Sequence, residues 1–160
     1  MTARTERDAK RLGYAGLVPF AFAVLVAWAP GVPYAFVQGY LGWTLYYAAI
    51  ILSFMGGARW GLAMLAEGRR PDEPFSGLLA AVIPALLAWA AIVPGTLLPL
   101  PFPMTARLVL LALAFAGLLF EDLRGVKAGE APAWYGVLRK RLTFWVLVSL
   151  GFVVVRLLAG

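Results

Sequence analysis

The chain of 160 residues contains no cysteine and no histidine, and these two absences remove much of the usual catalytic and metal chemistry. Without cysteine there is no disulfide, iron–sulfur cluster or thiolate nucleophile, and a zinc site of the Cys/His kind is excluded. Without histidine the chain lacks the commonest acid–base catalyst and haem ligand. No glycine-rich phosphate loop, metalloprotease helix or serine-hydrolase elbow is present. We therefore expect no enzymatic activity, no catalytic residues and no metal site.

Charge is also scarce, since only 14% of residues are charged while 62% are hydrophobic. A soluble domain carries roughly a quarter charged residues, so the composition indicates an integral membrane protein. The net charge is +6, and the basic residues lie mostly between apolar runs. This placement favours contact with anionic lipid headgroups and argues against a nucleic-acid partner.

Five apolar runs, separated by proline, glycine or charge, are long enough to be membrane helices. We predict an all-α fold, a polytopic bundle of five transmembrane helices forming a single domain over 1–160. The predicted helices are 12–29, 41–66, 76–97, 105–120 and 142–158, with a cytoplasmic interfacial segment at 121–141. The predicted connections are an uncharged turn at 30–39, a charged loop at 67–74 and an extended stretch at 98–103.

The first apolar run has the outline of a secretory signal peptide, but Pro30 directly follows the small residues where cleavage would fall. We therefore expect an uncleaved first helix, bent at Pro19. Lysine and arginine are concentrated on one side: eleven lie in the N-terminal tail, the 67–74 loop and the 121–141 segment. Only Arg107 and Arg156 fall on the other side. This bias predicts a cytoplasmic N-terminus and a C-terminus on the opposite face.

Arg59 is the only charge well inside a long apolar run, and a charge at membrane depth is costly. Its long side chain can reach the nearby cytoplasmic interface. Alternatively it points into the bundle and forms an ion pair with Glu121 or Asp122, which end the fourth predicted helix on the same side. The residues alone leave both alternatives open, and such a pair is more often structural than catalytic.

Small residues at four-residue spacing line one face of the second predicted helix: Ser53, Gly57 and Gly61. Helix packing is the expected use of such a face. The alternative is a groove that admits a flat ring or an acyl chain. Its candidate ligand-binding residues are Ser53, Gly56, Gly57, Arg59 and Trp60.

An aromatic pair and a basic cluster adjoin the last predicted helix. Trp134 and Tyr135 are of the type that sits at headgroup level, and three basic residues follow them. The segment is typical of a helix that lies on anionic lipid. The predicted lipid-interface residues are Trp134, Tyr135, Arg139, Lys140 and Arg141.

Several short segments occur in a characteristic order: Leu12–Phe20, Ser53–Gly61, Ile83–Pro84, Leu87–Trp89, Ala133–Tyr135, Leu138–Arg139 and Leu142–Thr143. This order resembles one family of small, uncharacterised bacterial inner-membrane proteins. The most specific is Ser-Phe-x-Gly-Gly-x-x-Trp-Gly, and the resemblance spans nearly the whole chain. The family is related to the mitochondrial transmembrane protein 69. The resemblance implies five membrane helices and a multi-pass protein of the bacterial cytoplasmic (inner) membrane, but no activity.

Two functions fit these observations. The first is a small, non-enzymatic membrane protein that acts as an accessory or assembly subunit of a larger membrane complex or associates with copies of itself. The second is a binding or transport module that holds a lipophilic anion, a quinone or a lipid in a groove beside Arg59. No cofactor is predicted, although a bound lipid or quinone is compatible with the second function.

Overall fold

The computed structural model describes residues 3–65, 74–93 and 102–159, and within these ranges the chain is helical except for short turns. The predicted all-α class is therefore confirmed. The helices are α1 (Ala3–Ala15), α2 (Val18–Trp28), α3 (Tyr34–Leu65), α4 (Pro74–Ile92), α5 (Met104–Lys127) and α6 (Ala133–Leu158). Residue 66, most of the 67–74 loop, the predicted end of the third helix after Val93 and most of the 98–103 connection lie outside the described residues.

Four helical stretches of the described chain are long and apolar enough to cross a membrane. They are Arg4–Trp28, Tyr34–Leu65, Met104–Lys127 and Ala133–Leu158. The chain is therefore a multi-pass membrane protein by length and composition. The remaining predicted span corresponds to α4, whose apolar part, Gly77–Ile92, is shorter.

The first predicted helix is two helices, joined by a short turn at Gly16 and Leu17. Pro19 lies in the first turn of α2, where its missing N–H costs no hydrogen bond. The polar tail before it is also helical, because α1 begins at Ala3. A Cβ atom added at Gly13 would lie 2.8 Å from Leu142, so α1 packs closely against α6.

Other helices also extend beyond their predicted bounds. The turn expected at 30–39 is limited to 29–33, because α3 already begins at Tyr34. The segment 121–141 consists of the last turns of α5, a turn at 128–132 and the first turns of α6. Four of its charged residues form ion pairs within or between the two helices, Glu121 with Arg124 and Asp122 with Arg139.

The core is built from apolar faces of α2, α3, α4, α5 and α6, and α4 contributes Ala88 and Ala91. Phe20 lies at its centre, and its ring meets Tyr47 and Phe115 edge to face at centroid distances of 5.4 and 6.4 Å. These contacts fix α2 against α3 and α5. The other large, fully buried apolar side chains are Leu41, Leu52, Leu108, Leu111, Leu150 and Val153.

At one end of the bundle, two arginines bind helix C-termini. Arg107 Nη1 donates to the carbonyls of Ala91 and Val93 at 3.1 and 2.7 Å. Arg156 Nε donates to the carbonyl of Ala27 at 3.1 Å. The last carbonyls of a helix have no partner within the helix, so these two side chains satisfy groups at the ends of α4 and α2.

Helices α3 and α4 approach each other closely at Gly56. A Cβ atom there would lie 2.8 Å from the carbonyl oxygen of Ala81 and 3.5 Å from Pro84. Gly57 and Gly61 are exposed, and a Cβ atom at either would meet nothing within 4 Å among the described residues. Within the described chain, the close helix contact therefore uses Gly56, and the Gly57/Gly61 face points outward.

Substitution of these adjacent glycines tests this packing. We expect Gly56→Ala to destabilise the protein by about 1–3 kcal/mol, because the methyl group overlaps a backbone carbonyl. Gly57→Ala is the matched control and should be neutral or stabilising by up to about 1 kcal/mol, since alanine favours a helix. Unfolding in detergent micelles measures both. Equal effects of the two substitutions would contradict the α3–α4 contact.

Candidate functional site: a buried charge cluster beside an apolar groove

Arg59 points into the bundle. Its side chain is 2% exposed, and its Nη1 atom lies 3.0 Å from Oε2 of Glu130, which is 3% exposed. Gly125 of α5 makes room for this pair, because a Cβ atom there would overlap Arg59 Nη1 and lie 2.7 Å from Glu130 Oε2. The direct acidic partner is therefore Glu130, in the turn between α5 and α6, and not Glu121 or Asp122 as expected.

A second buried ion pair lies beside the first. Arg139 Nε donates to Oδ2 of Asp122 at 2.6 Å, and these side chains are 6% and 1% exposed. The same carboxylate also interacts with the hydroxyl of Tyr135 and with the positive charge of Arg59. Asp122 thus links the two arginines, one from α3 and one from α6.

Glu121 takes no part in this cluster. It pairs with Arg124 at 3.1 Å, and the two side chains are 22% and 49% exposed. The buried cluster (Arg59, Asp122, Glu130, Tyr135 and Arg139) therefore holds two guanidinium groups and two carboxylates, and it is neutral overall. Neutrality matters here, because burying an uncompensated charge is far more costly than burying a pair.

An apolar groove lies next to the cluster, between α1–α2, α3 and α6. Its volume is about 500 Å³, and apolar atoms form most of its wall. The small residues Gly13 and Gly16 form part of the wall on the α1–α2 side. The other lining residues are Thr5, Ala9, Leu12, Leu17, Phe20, Ile51, Phe54, Met55, Ala58, Phe115, Trp134, Tyr135, Leu138, Arg139, Leu142, Thr143 and Val146.

Three polar side chains of α6 reach this groove: Tyr135, Arg139 and Thr143. They are spaced four residues apart and so lie on one face of the helix. Two polar atoms of this row, Arg139 Nη2 and Thr143 Oγ1, are buried without a hydrogen-bond partner among the residues that the structure describes. Buried polar atoms are normally paired, so these two mark the row as a candidate binding element.

The residues predicted to form a groove around Arg59 do not line this cavity. Gly56 is packed against α4, and Gly57 is exposed with open space beside it. Ser53 is half-buried, and Trp60 is 40% exposed. Arg59 itself belongs to the charge cluster.

The predicted lipid-interface residues divide into two groups. Lys140 and Arg141 are exposed, as a headgroup contact requires. Arg139 is buried in its pair with Asp122, while Trp134 and Tyr135 line the groove with ring centroids 6.3 Å apart. Of these last three residues, Arg139 is buried, while Trp134 and Tyr135 are half-buried.

The sequence reasoning missed Glu130 and Thr143. Glu130 lies in a turn, where no helical periodicity indicates which side chains are buried. Thr143 could have been predicted from the sequence, because it continues the four-residue spacing of Tyr135 and Arg139. Such a polar row within an apolar helix indicates a face turned toward protein or a ligand.

The fold and the site define the class of this protein: a multi-pass, all-α membrane protein with a neutral buried charge cluster. The chain belongs to the family described as "Protein of unknown function (DUF3429)", whose model matches residues 5–155. It is also similar to "Transmembrane protein 69" of Xenopus tropicalis, with 36% identity over 147 residues. The match covers 90% of this chain but 52% of the relative, so the chain spans about half of that protein's length. No solved structure matches the chain.

The adjacent acids of α5 provide a test of the cluster. We expect Asp122→Ala to destabilise the protein by about 3–5 kcal/mol, because Arg139 would lose its buried carboxylate. Glu121→Ala breaks a partly exposed ion pair and should cost about 0–1 kcal/mol. Unfolding of both variants in the same detergent measures the difference. A larger loss for Glu121→Ala would contradict the assignment of Asp122 to the cluster.

Proposed function

We propose that this protein is a non-enzymatic membrane module that binds a lipophilic small molecule in the groove between α1–α2, α3 and α6. The observation that carries the proposal is an apolar groove of about 500 Å³ whose lining includes Arg139 and Thr143, each of which has a buried polar atom without a hydrogen-bond partner in the described chain. Small-molecule sites are typically apolar clefts of about 300–1,000 Å³ with a few placed polar groups.

The position of the groove supports entry from the lipid. Leu12 and Phe54 line it and are 75% and 69% exposed, so the groove opens to the surroundings of the bundle. In a membrane those surroundings are the acyl chains of the bilayer. A molecule dissolved in the bilayer can therefore reach the groove without crossing water.

The orientation and location of the protein are part of the same proposal. The buried cluster and the start of α6 lie at the end of the bundle that carries the N-terminal helix, since Thr5 and Ala9 line the groove with Trp134 and Tyr135. Most lysines and arginines belong to this end, which supports a cytoplasmic N-terminus. We place the protein in the bacterial cytoplasmic membrane, in contact with anionic lipid headgroups.

Filling the groove tests the binding function. Ala58 lines the groove and is exposed, so Ala58→Phe should occupy the space that a ligand needs. We expect at least a tenfold loss of the lipophilic molecules that co-purify with the protein, measured by native mass spectrometry after gentle extraction. Ala116→Phe is the matched control, because Ala116 is also exposed but lies on α5 away from the groove. Equal ligand content in the two variants would refute the proposal.

A second candidate function is that of an accessory or assembly subunit of a larger membrane complex or homo-oligomer. One observation favours it: Gly57 and Gly61 leave open space on the outer face of α3, next to the partly exposed Trp60. Glycines four residues apart let a neighbouring membrane helix come close. The partner would therefore be a transmembrane helix of another subunit.

The outward glycine face gives this second candidate its own test. We expect Gly57→Leu to remove a stoichiometric protein partner seen in native mass spectra, because leucine blocks close helix approach. The variant should keep the unfolding temperature of the parent, since nothing in the described chain contacts this position. Gly151→Leu, at another open glycine on α6, is the control. A parent protein that carries no protein partner would exclude the subunit function.

A further inference from the structure

The chemistry of the polar wall points to the class of ligand, an inference that rests on the proposed binding function. We propose that the groove binds a lipid-soluble quinone, one ring carbonyl of which accepts hydrogen bonds from Arg139 Nη2 and Thr143 Oγ1. Both atoms are buried, and both residues line the groove.

Arg139 Nη2 and Thr143 Oγ1 can both donate a hydrogen bond, so a ligand that pairs with both must offer a hydrogen-bond acceptor. A guanidinium group can only donate hydrogen bonds, while a threonine hydroxyl can donate or accept one. Arg139 already uses its Nε atom on Asp122, and this bond fixes the direction of its remaining N–H groups. Thr143 stands one helical turn from Arg139, so a single oxygen with two lone pairs can accept from both. A carbonyl oxygen is such an acceptor.

The charge of the cluster favours an uncharged acceptor. Each arginine already has a carboxylate partner, Glu130 for Arg59 and Asp122 for Arg139. An anionic headgroup would add a buried negative charge to a neutral set, and an unbalanced buried charge is strongly unfavourable. A neutral carbonyl completes the hydrogen bonds and leaves the charge balance unchanged. The charged groups of fatty acids and phospholipid phosphates are therefore disfavoured.

The shape of the groove favours a ring with a short tail over a lipid with two acyl chains. The cavity of about 500 Å³ is in the range of a single small molecule. The ring of Trp134 and the side chain of Phe54 both line the groove and provide apolar surface for a flat ring. Aromatic rings pack favourably edge to face or in offset stacks.

The depth of the two hydrogen-bond donors in the membrane is also compatible with a quinone. Helix α6 has 26 residues, so it is about 39 Å long and exceeds a hydrocarbon core of about 30 Å. The basic residues at its start therefore fall near one membrane surface, and Thr143 lies about 6 Å deeper than Arg139. A quinone ring held at this level keeps its polar end near the interface and its tail among the acyl chains.

Four probes in titrations of the full chain, followed by native mass spectrometry, test the inference. They are decylubiquinone, decylbenzene, palmitate and dioleoylglycerol. Decylbenzene keeps a ring and the tail but has no carbonyl group, palmitate carries a charged carboxylate, and dioleoylglycerol supplies ester carbonyls of a lipid. We expect decylubiquinone to bind about tenfold more tightly than decylbenzene, in line with two hydrogen bonds to one acceptor.

Each alternative outcome has a separate meaning. Equal binding of decylbenzene and decylubiquinone would leave the groove function intact and overturn the acceptor. Tighter binding of palmitate would overturn the charge argument, and tighter binding of dioleoylglycerol would assign the groove to a lipid ester and overturn the quinone. If none of the probes binds, the proposed function itself fails.

Thr143 provides the variant test, since valine has nearly its shape but no hydroxyl. Thr143→Val should weaken decylubiquinone binding about fivefold and leave decylbenzene binding unchanged. Thr143→Ser, which keeps the hydroxyl, should restore most of the loss. The fold should tolerate valine, because this hydroxyl has no partner in the described chain. If the Thr143→Val variant binds the quinone as tightly as the parent protein, Thr143 is not part of the site.

Discussion

The cost of removing the Arg59 guanidinium from water governs the architecture of one end of this bundle. A charge at that depth needs a counter-charge within a few ångströms, and the chain supplies Glu130 at 3.0 Å. The contact requires α3 to lie beside the α5–α6 turn, and it requires Gly125, because any side chain there would displace the guanidinium. The backbone of α5 and the turn after it therefore pack around the side chain of Arg59 from α3.

The second ion pair extends this arrangement toward the groove. Asp122 accepts a hydrogen bond from Arg139 Nε and also interacts with the charge of Arg59. Arg139 lines the groove, and its buried Nη2 has no partner among the described residues. The binding properties that we propose for the groove thus follow from the same charge balance that stabilises the bundle.

The opposite end of the bundle uses arginine in a different way. Arg107 and Arg156 have no acidic partner among the described residues, and they donate instead to carbonyl groups that end α4 and α2. Helix C-termini carry partial negative charge, so a cation there is stabilised without a carboxylate. Arginine therefore pairs with buried carboxylates at one end of the bundle and caps helix C-termini at the other.

The sequence by itself determined the membrane class, the main apolar helices and the anomaly of Arg59, because hydropathy and charge are local properties. It also predicted a small-residue face on α3, but the close contact to α4 uses Gly56 and leaves Gly57 outside. Only the tertiary structure decided which acids are buried. Neighbouring helix residues point about 100° apart, so Asp122 enters the cluster while Glu121 faces Arg124 at the surface. The burial of Glu130 and the presence of the groove could not be predicted from local sequence patterns, because both depend on how segments distant in the chain pack together.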